Sequence, residues 1–459
     1  MIKDTLSRRE MLRNAALAGL GLGVLGKSAN AAEPVNALES LINGPAPAGK
    51  TMIGVPFERR ETVRIAIVGT GLRGCSTLEE FLNIAGVKIV ALCDIAEEKA
   101  NKAKAMVEKA GQPTPAMYVK GERGFEELVK RADIDFVYTA TPWEFHVPIV
   151  LAAMNAGHHC GTEVPAAYTL EDCWKIVETS ERTRRHCMIM ENCCYDYDEM
   201  MVLNMIRAGL LGELVHGECA YNHDLREILF ETRDEGLWRR RHHTLRDSNL
   251  YTTHGLGPMA NYMNINRGDK FDFMVAMSSQ HLGLEAYREE KLAKDDPRRK
   301  EVYKCGDYNT SMVKTARGKT IMLQHNVSTP RPYDRINLIQ GTKGIFRDYP
   351  SRIFLDGQEG GHRWDTTEKH KAKWEHDLWR KEGETARKLG GHGGMDYLMC
   401  FRLVECMREG LVPDMDVYDA AAWSAPGPLS EISGAKGSMP VKFPDFTRGR
   451  WTEARSSVP

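Results

Sequence analysis

The stretch Arg64-Ile-Ala-Ile-Val-Gly-Thr-Gly-Leu-Arg-Gly74 is an apolar run that leads into the pattern Gly69-x-Gly71-x-x-Gly74, and Asp94 closes a second apolar run farther on. Glycines at this spacing allow a tight turn, a close approach of the backbone to a pyrophosphate, and close helix–strand packing. The acid suits a ribose diol and favours NAD over NADP, because a 2′-phosphate would meet a like charge. Arg73, inside the loop, weakens that preference. The stretch therefore predicts a dinucleotide-binding unit.

Strand and helix patterns alternate on the C-terminal side of this loop. We predict strands at 63–69, 87–94, 134–141, 158–163 and 187–194, and helices after Gly74 and at 96–110, 146–156 and 170–184. The last of these helices opens on Thr169-x-x-Asp172, the pattern of a capping box. Such alternation is typical of a doubly wound parallel sheet, so we expect an α/β Rossmann domain over residues 63–195.

The pattern changes after about residue 212 to longer runs of mixed alternation. We predict strands at 213–224, 271–279, 308–315, 320–327 and 335–340, with hairpin signals at Arg317-Gly318 and Gly341-Thr-Lys-Gly344. Residues 358–394 are strongly polar and predict a solvated helical insertion that ends in glycines around His392; the apolar helix 396–407 and the segment 417–433 then pack back. These features indicate a second α+β domain with a mostly antiparallel sheet over residues 196–459, carrying the substrate and oligomerisation surfaces.

The N-terminus reads as an export signal. Ser7-Arg8-Arg9-Glu10-Met11-Leu12 precedes an apolar run from Ala15 to Leu25 and the small residues Ala29-Asn30-Ala31. This order predicts a twin-arginine signal peptide over residues 1–31, followed by an extended arm over 32–62, and a periplasmic or secreted protein. The apolar run is too short to span a bilayer stably, so we expect no membrane contact in the mature form. Outside the cytoplasm there is no nicotinamide pool, so the cofactor should stay bound and be restored in each turnover.

Composition narrows the classes of partner. The chain has 459 residues and a formal net charge of −1, which predicts no nucleic-acid partner. Its 11 cysteines include no Cys-x-x-Cys pair, which argues against a disulfide framework and against a metal site of the zinc type. We therefore expect no metal.

Two further motifs follow the predicted parallel strands. Thr141-Pro142-Trp143-x-x-His146 comes after one strand and Glu163-Val164-Pro165 after the next, at the sheet edge where ligands bind. Together with the glycine loop and Asp94, these motifs resemble the glucose-fructose oxidoreductase / inositol dehydrogenase / MocA family over about residues 63–440. Plain dehydrogenases of that family usually carry a lysine where Val164 stands here, and an Asp-x-x-x-His pair where this chain has Asn249 to His254.

A more specific resemblance covers nearly the whole mature chain. Its motifs are Glu163-Val-Pro, Glu191-Asn192-Cys-Cys-Tyr195, Tyr221-Asn-His-Asp224, Trp238-Arg239 and Tyr251-Thr-Thr-His-Gly-Leu-Gly-Pro258. This combination resembles glycoside hydrolase family 109. The resemblance implies α-N-acetylgalactosaminidase activity with NAD bound throughout. In the implied chemistry, carbon 3 of the sugar is oxidised, a base removes the proton from carbon 2, the aglycone leaves carbon 1, water adds, and the hydride returns.

Candidate site residues follow from the motifs and from this resemblance. His254 is the first choice for acid/base work because an imidazole titrates near the operating pH; Tyr251 is the other catalytic candidate, and which of the two is the base stays open. Cofactor contacts are expected from Gly69, Gly71, Leu72, Arg73, Gly74, Asp94, Trp143, His146, Glu163, Val164 and Asn192. Substrate contacts are expected from Tyr221, Arg239, Tyr251, Thr252, Thr253, His254 and Tyr333.

Two other functions compete with this interpretation. The first is an exported sugar or polyol oxidoreductase that recycles a bound NAD(P) with a second carbohydrate; Val164 counts against it, since alcohol oxidation would need another base. The second is a cofactor-bound but inactive sugar-binding protein, which the tyrosines around His254 make less favoured. In all three cases the partner is a small sugar or glycan, and we lean towards a homo-oligomer. Anomeric preference and the natural glycan stay open.

Overall fold

The computed structural model describes residues 34–358, 361–389, 391–453 and 455. The predicted signal peptide, residues 1–31, lies outside the described residues. The predicted arm is not extended throughout, because it begins with a helix, α1 (Pro34–Asn43). Residues 44–62 then run without helix or strand to the first sheet. Trp174 anchors the end of α1 by donating from its indole nitrogen to the Leu41 carbonyl, 2.7 Å away.

A six-stranded parallel sheet forms the N-terminal domain. Its strands are β1 (Val63–Val68), β2 (Val87–Cys93), β3 (Ala116–Tyr118), β4 (Phe136–Thr139), β5 (His159–Thr162) and β6 (Cys187–Ile189). They lie in the order β3-β2-β1-β4-β5-β6, and every neighbouring pair is parallel. This is the doubly wound order of dinucleotide-binding folds, so the predicted fold class of this domain is confirmed.

Five helices connect these strands. They are α2 (Leu72–Leu82), α3 (Glu97–Lys109), α4 (Gly124–Leu128), α5 (Trp143–Asn155) and α6 (Leu170–Thr183). The hydroxyl of Thr169 accepts a hydrogen bond from the Asp172 amide at 3.1 Å, which caps α6 as its sequence predicts.

The strand predicted at 187–194 is wrong in its second half. It ends at Ile189, and a short 3-10 helix follows at Asn192–Tyr195. The side chain of Glu191 accepts from the Cys193 amide at 3.1 Å and caps this turn. The capping stops the strand and brings the buried Glu191 carboxylate to the end of the sheet.

A nine-stranded sheet forms the C-terminal domain. Its strands are β7 (Leu214–Asn222), β8 (Phe271–Ser278), β9 (Asn309–Thr315), β10 (Thr320–Asn326), β11 (Leu338–Gly341), β12 (Gly344–Arg347), β13 (Arg352–Leu355), β14 (Asp365–Thr366) and β15 (Val441–Lys442). Only β7 and β10 pair in parallel among the strands of this sheet that the structure describes. Both predicted hairpins join antiparallel neighbours, β9–β10 and β11–β12. The mostly antiparallel sheet is confirmed.

Helices of the C-terminal part of the chain pack on this sheet and against helices of the N-terminal domain. They are α7 (Tyr197–Arg207), α8 (Arg226–Phe230), α9 (Arg239–Leu245), α10 (Thr253–Tyr262), α11 (Gly283–Lys291), α12 (Glu368–Trp374), α13 (Asp377–Leu389), α14 (Met395–Glu409), α15 (Val417–Ser424) and α16 (Pro426–Ala435). α10 packs on β7 so closely that a Cβ on Gly255 would lie 2.6 Å from the Ala220 amide nitrogen. This contact fixes the start of α10 against β7.

The polar insertion is helical, as predicted, but it is not solvated on all sides. Leu378, Trp379, Gly383 and Ala386 of α13 are buried, and the Trp379 indole donates to the Tyr195 carbonyl at 2.9 Å. The buried positions recur at the spacing of one helical face. The high polar content of the segment made this apolar face difficult to predict from the sequence. None of the helices in the described part of the chain is both long and apolar enough to cross a bilayer.

Candidate active site

A cavity of about 430 Å³ lies at the carboxyl ends of the parallel strands. Its wall includes Val68 and Cys93, which end β1 and β2, and Ala140 and Glu163, which directly follow β4 and β5. Open parallel sheets bind ligands in the crevice outside these strand ends. The cavity therefore occupies the position expected for a dinucleotide.

The glycine loop has the shape that a pyrophosphate requires. Gly69 has a φ of 87°, and a Cβ on Gly74 would lie 1.8 Å from the Gly69 carbonyl oxygen. Both positions are therefore restricted to glycine by the turn and by its contact with α2. A Cβ on Gly71 would instead meet nothing nearer than Lys99 Nζ at 4.0 Å. The Gly71 backbone thus borders open space at the N-terminus of α2, where amide groups and the helix dipole favour an anion. These residues fit the diphosphate of NAD.

Asp94 is held rigidly at the wall of the same cavity. One of its carboxylate oxygens accepts from the Thr70 amide at 2.7 Å and from the Thr70 hydroxyl at 3.1 Å, and the other accepts from the Ala96 amide at 2.8 Å. A carboxylate oxygen can accept more than one hydrogen bond, so the anchored group still has lone pairs for a ribose diol. Its placement supports the predicted role.

Trp143 and His146 lie on the first turns of α5 and line the cavity. His146 is buried, with Nδ1 2.8 Å from the Pro165 carbonyl and Nε2 2.9 Å from the Thr141 carbonyl. Burial lowers the pKa of this imidazole. Because both ring nitrogens meet protein carbonyls, His146 ties together the loops that follow β4 and β5. Its contribution to the cofactor site is to fix the shape of the wall.

An ionic network lies at the end of the groove around Glu163. Glu163 accepts from Arg73 Nε at 2.8 Å and from the Tyr138 hydroxyl at 2.7 Å. Arg73 Nη1 lies 2.7 Å from one Asp396 carboxylate oxygen, and the other oxygen accepts from the Asn192 side-chain Nδ2 at 2.6 Å. Burial alone would raise the pKa of Asp396, but Arg73 holds it below its usual value. The network fixes the orientations of Glu163 and Asn192.

This placement changes how Arg73 is interpreted. Its guanidinium faces Glu163 and Asp396, so it is not directed at the ribose end beside Asp94. The weakening of the NAD preference that its sequence position suggested is therefore not supported by the structure. Val164, next to Glu163, is buried and contributes only an apolar wall.

His392, in the glycine-rich loop before α14, joins the same network. Its Nδ1 lies 2.7 Å from Asp396, and this hydrogen bond raises the pKa of the imidazole. The contact places His392 at the Arg73 and Asp396 end of the groove, which was not foreseen from its flanking glycines.

Aromatic rings and one buried guanidinium form a second cluster that joins this cavity. The Arg239 guanidinium carbon lies 4.9 Å from the Tyr251 ring centroid and 5.5 Å from that of Trp143. The Tyr221 ring lies 4.5 Å from Tyr251 and 6.1 Å from Tyr333. Trp143, Arg239 and Tyr251 also line the cavity. The structure thus brings the predicted sugar contacts together beside the cofactor groove, where apolar ring faces and hydroxyls suit a sugar.

His254 lies at the start of α10 and is paired with a buried acid. Its Nδ1 is 2.7 Å from a Glu191 carboxylate oxygen, and its Nε2 is 3.5 Å from the Tyr251 hydroxyl. Burial would raise the pKa of Glu191, but the charge and hydrogen bond of His254 lower it below its usual value. A carboxylate at Nδ1 fixes the ring orientation and places the proton on that nitrogen. Nε2 is then the nitrogen available for proton transfer on the Tyr251 side.

Tyr251 is the weaker of the two candidate bases. Burial and the neighbouring Tyr221 raise the pKa of its hydroxyl well above the usual value. A phenol with a raised pKa stays protonated at working pH and serves as a hydrogen-bond donor rather than as a base. The site chemistry therefore favours His254 for proton removal and Tyr251 for positioning.

Thr252 and Thr253 were expected to contact the substrate, but their side chains are not exposed to the cavity. Both residues are buried, and the Thr252 hydroxyl donates to the Trp423 carbonyl at 2.5 Å. That bond attaches the start of α10 to α15. These two threonines support the position of His254, and their contact with substrate stays a prediction.

Sequence reasoning missed the partners that orient the site. Glu191 was part of a recognised motif but had no role, and its position directly before Asn192 was the available signal. Asp396 is separated from Arg73 by more than three hundred residues, so no local pattern connects them. The segment before Arg239 also enters the cofactor cavity, through Asp234, Glu235, Leu237 and Trp238.

Among the described residues, one group has the donor types of a metal site. Potential ligand atoms of Glu191, Cys193 and His254 lie within 4.8 Å of one another. Glu191 and His254 already share a hydrogen bond, and burial raises the pKa of the Cys193 thiol well above its usual value. We assign no ion to this group, and the absence of a metal stays a prediction.

Comparison with known families divides the chain at the same place as the fold. Residues 63–191 match the family model described as "Oxidoreductase family, NAD-binding Rossmann fold". Residues 195–453 match the model described as "Glycosyl hydrolase 109, C-terminal domain".

Curated relatives match over nearly the full length. A glycosyl hydrolase family 109 protein of Solibacter usitatus is 55% identical over 450 residues, with 98% of each chain covered. The α-N-acetylgalactosaminidase of Shewanella oneidensis is 45% identical over 455 residues, again with 98% of each chain covered.

Solved structures share the fold at low identity. Levoglucosan dehydrogenase in complex with NADH and levoglucosan superimposes with a TM-score of 0.63 at 15% identity, covering 84% of this chain and 100% of that one. Aldose-aldose oxidoreductase from Caulobacter crescentus, complexed with glycerol, gives a TM-score of 0.58 at 18% identity, with 83% and 100% covered.

Proposed function

This chain belongs to glycoside hydrolase family 109 and is a glycoside hydrolase with an NAD-binding domain; from that premise we propose that it removes terminal N-acetylgalactosamine residues by oxidation, elimination, water addition and reduction. One observation carries the proposal: Tyr251 lines the cofactor cavity and also adjoins the His254–Glu191 pair. An acid/base group and a dinucleotide groove therefore share one site. The name of the Shewanella oneidensis relative supports the choice of sugar.

NAD would be held by residues of the N-terminal domain. The glycine loop would receive the diphosphate, and Asp94 would bind the adenosine ribose. Trp143 would form part of the groove wall, and Glu163 and Asn192 would border the nicotinamide end. When bound there, NAD⁺ supplies a hydride acceptor for carbon 3 of the sugar and afterwards the hydride donor. Because the proposed reaction begins and ends with the oxidised cofactor, no second redox substrate is required.

The chain's own residues supply proton transfer and positioning. A ketone at carbon 3 makes the proton on carbon 2 acidic, and His254 Nε2 is placed to take it while Glu191 stabilises the imidazolium. The C1–O bond to the aglycone then breaks as the C1–C2 double bond forms, and the proton held by His254 passes to the aglycone oxygen. Water later adds its oxygen to carbon 1 and a proton to carbon 2. The O3 hydroxyl proton, released to solvent when carbon 3 is oxidised, is taken up again when the hydride returns. Tyr221, Tyr251 and Arg239 hold the sugar beside this base.

Direct displacement by a carboxylate pair is less well supported. Such glycosidases need one acid and one nucleophile that both face the glycosidic bond. Here Glu163 is engaged by Arg73 and Tyr138, and Glu191 is fully buried against His254. Both carboxylates hold other residues of the site in place, which fits the redox route better.

An assay without added cofactor tests the proposed function. Purified protein is incubated with an aryl α-N-acetylgalactosaminide, and aryl release is followed. The redox hydrolase cleaves it; a sugar oxidoreductase that recycles its NAD(P) leaves the glycoside intact but interconverts free sugars; a sugar-binding protein does neither. The last two outcomes would overturn the proposal.

We predict that the purified protein contains NAD. The proposed enzyme restores its cofactor in every turnover, and after export it would have no pool from which to replace it. Denaturing the protein and assaying the released nucleotide should give nearly one mole of NAD per mole of protein. Recovery of NADP, or of no nucleotide from active protein, would refute retention of NAD.

Replacing Asp94 by alanine should weaken cofactor retention. The ribose would lose hydrogen bonds to a charged acceptor, which are worth about 1.5–3 kcal/mol and correspond to roughly ten- to a hundredfold in affinity. Equilibrium titration of nucleotide-free protein measures the change, and thermal unfolding monitors the turn that Asp94 also supports. Asp133→Ala, which removes a carboxylate paired with Arg131, is the matched control. Equal NAD affinity in the two variants would count against the assignment of Asp94.

We also propose that the protein is exported and that it assembles with copies of itself. The arginine pair and the small residues before position 32 support twin-arginine export to the periplasm or beyond. The outer face of the nine-stranded sheet supports a homo-oligomer, because Phe273, Met277 and Met312 expose apolar side chains on adjacent strands. A second copy of the chain would cover this surface.

A further inference from the structure

A short segment of the C-terminal domain reaches into the cofactor cavity. We call residues 231–238 the strap; it connects α8 to α9. Asp234, Glu235, Leu237 and Trp238 of the strap line the same cavity as the glycine loop. The parallel sheet would therefore form one part of the cavity wall around a bound dinucleotide, and the strap would form another part.

The strap is a preformed turn. Asp234 has a φ of 47°, a conformation that aspartate and asparagine adopt more readily than most residues. A Cβ on Gly236 would lie 2.1 Å from the Glu231 carbonyl oxygen, so the turn closes tightly on itself. Leu237 is 68% exposed and gives the turn no apolar anchor. Other side chains of the strap must therefore hold it against the N-terminal domain.

Two contacts attach the strap to the N-terminal domain. Asp234 forms an ion pair of 2.7 Å with Lys99 Nζ on α3, and both side chains are mostly buried. The Trp238 ring meets Trp143 edge-on, with centroids 5.2 Å apart. Lys99 Nζ also lies 4.0 Å from the position that a Cβ on Gly71 would take. The ion pair thus closes the strap directly beside the proposed diphosphate position.

The sign of the Asp234 charge is informative. A carboxylate near a diphosphate repels it, and by charge alone Asp234 reduces the affinity of the groove for NAD. A residue that served only to bind the diphosphate would not carry this charge. An ion pair that joins two domains across the groove gives the carboxylate a different role, because it must break before the strap can move.

We propose that Lys99 and Asp234 form an ionic latch that keeps the strap closed over NAD and sets how slowly the cofactor leaves. The inference rests on the proposed retention of NAD between turnovers and adds the residues responsible for it. Asp234 is a positioning residue in this scheme, since it acts on the cofactor through the strap. The latch concerns the rate of exchange, and the glycosidase chemistry proceeds at the other end of the groove.

The test is Asp234→Asn, which removes the charge and keeps a residue that tolerates positive φ. Protein loaded with isotopically labelled NAD is diluted into excess unlabelled NAD, and the retained label is followed over time. The latch predicts release about tenfold faster than in the wild type, which corresponds to about 1.4 kcal/mol. Simple charge repulsion predicts the opposite sign, since a lost carboxylate would slow release.

Glu231→Gln is the matched control because it removes one carboxylate from the same strap, where Glu231 pairs only with the neighbouring Arg233 among the ion pairs of the described chain. This variant should release NAD at the wild-type rate. Unchanged or slower release from Asp234→Asn would overturn the latch, and so would equal acceleration by both variants. Glycoside cleavage is assayed separately, so failure of the proposed hydrolase activity is distinguished from failure of the latch.

Discussion

Replacing His254 with alanine should slow glycoside cleavage by roughly 10²- to 10⁴-fold, the usual contribution of a positioned acid/base. The reason is geometric: Glu191 occupies Nδ1 at 2.7 Å, so Nε2 carries the lone pair on the Tyr251 side. Alanine removes that base and leaves the glycine loop and Asp94 intact. Steady-state kinetics measure the loss, and assay of released nucleotide should show unchanged NAD content.

Three further variants make this result specific. Glu191→Gln should lower kcat more than it changes KM, because an amide no longer imposes the tautomer with Nε2 free. Tyr251→Phe should retain more activity than His254→Ala if the tyrosine only positions the sugar. His216→Ala, on β7 beside the Thr320 hydroxyl, should cleave at the wild-type rate. Normal turnover by His254→Ala together with an inactive Tyr251→Phe would move the base to the tyrosine.

The N-terminal domain was predictable because its signals are local. The glycines of the loop, the acid after the second strand and the alternating apolar runs are each imposed by short-range geometry, as Gly74 shows by its contact with the Gly69 carbonyl. Strand ends were less predictable. The run 187–194 is apolar throughout most of its length, yet the Glu191 side chain caps a 3-10 turn there and ends the strand.

The candidate site was predictable only in the residues that belong to motifs or follow from the family resemblance. His254, Tyr251 and Tyr221 came from such motifs, and the structure brings them together. Their partners depend on the folded chain: Asp396 reaches Arg73 from α14, and Asp234 reaches Lys99 from the other domain. Charged residues in isolation look like solvated surface, and only tertiary structure shows that these carboxylates are buried or bridge the cofactor groove.

Hydrolysis in deuterium oxide should place deuterium at carbon 2 of the released N-acetylgalactosamine. The proposed ketone at carbon 3 serves to make that proton removable, and a proton from solvent replaces it when water adds across the C1–C2 bond. Direct displacement at carbon 1 would leave carbon 2 untouched. NMR of the product therefore separates the two routes, with incorporation near complete in one and absent in the other.

A shielded base that returns the same proton would hide this exchange, so a second measurement accompanies it. Removal of the carbon-2 proton should make a substrate deuterated at that carbon react more slowly, whether or not the label later escapes. His254→Ala should lose residual exchange in parallel with rate, since both depend on the same Nε2. A product without deuterium, together with cleavage of the deuterated substrate at the full rate, would contradict elimination and would leave the buried Glu191 and the cofactor groove without the roles proposed for them.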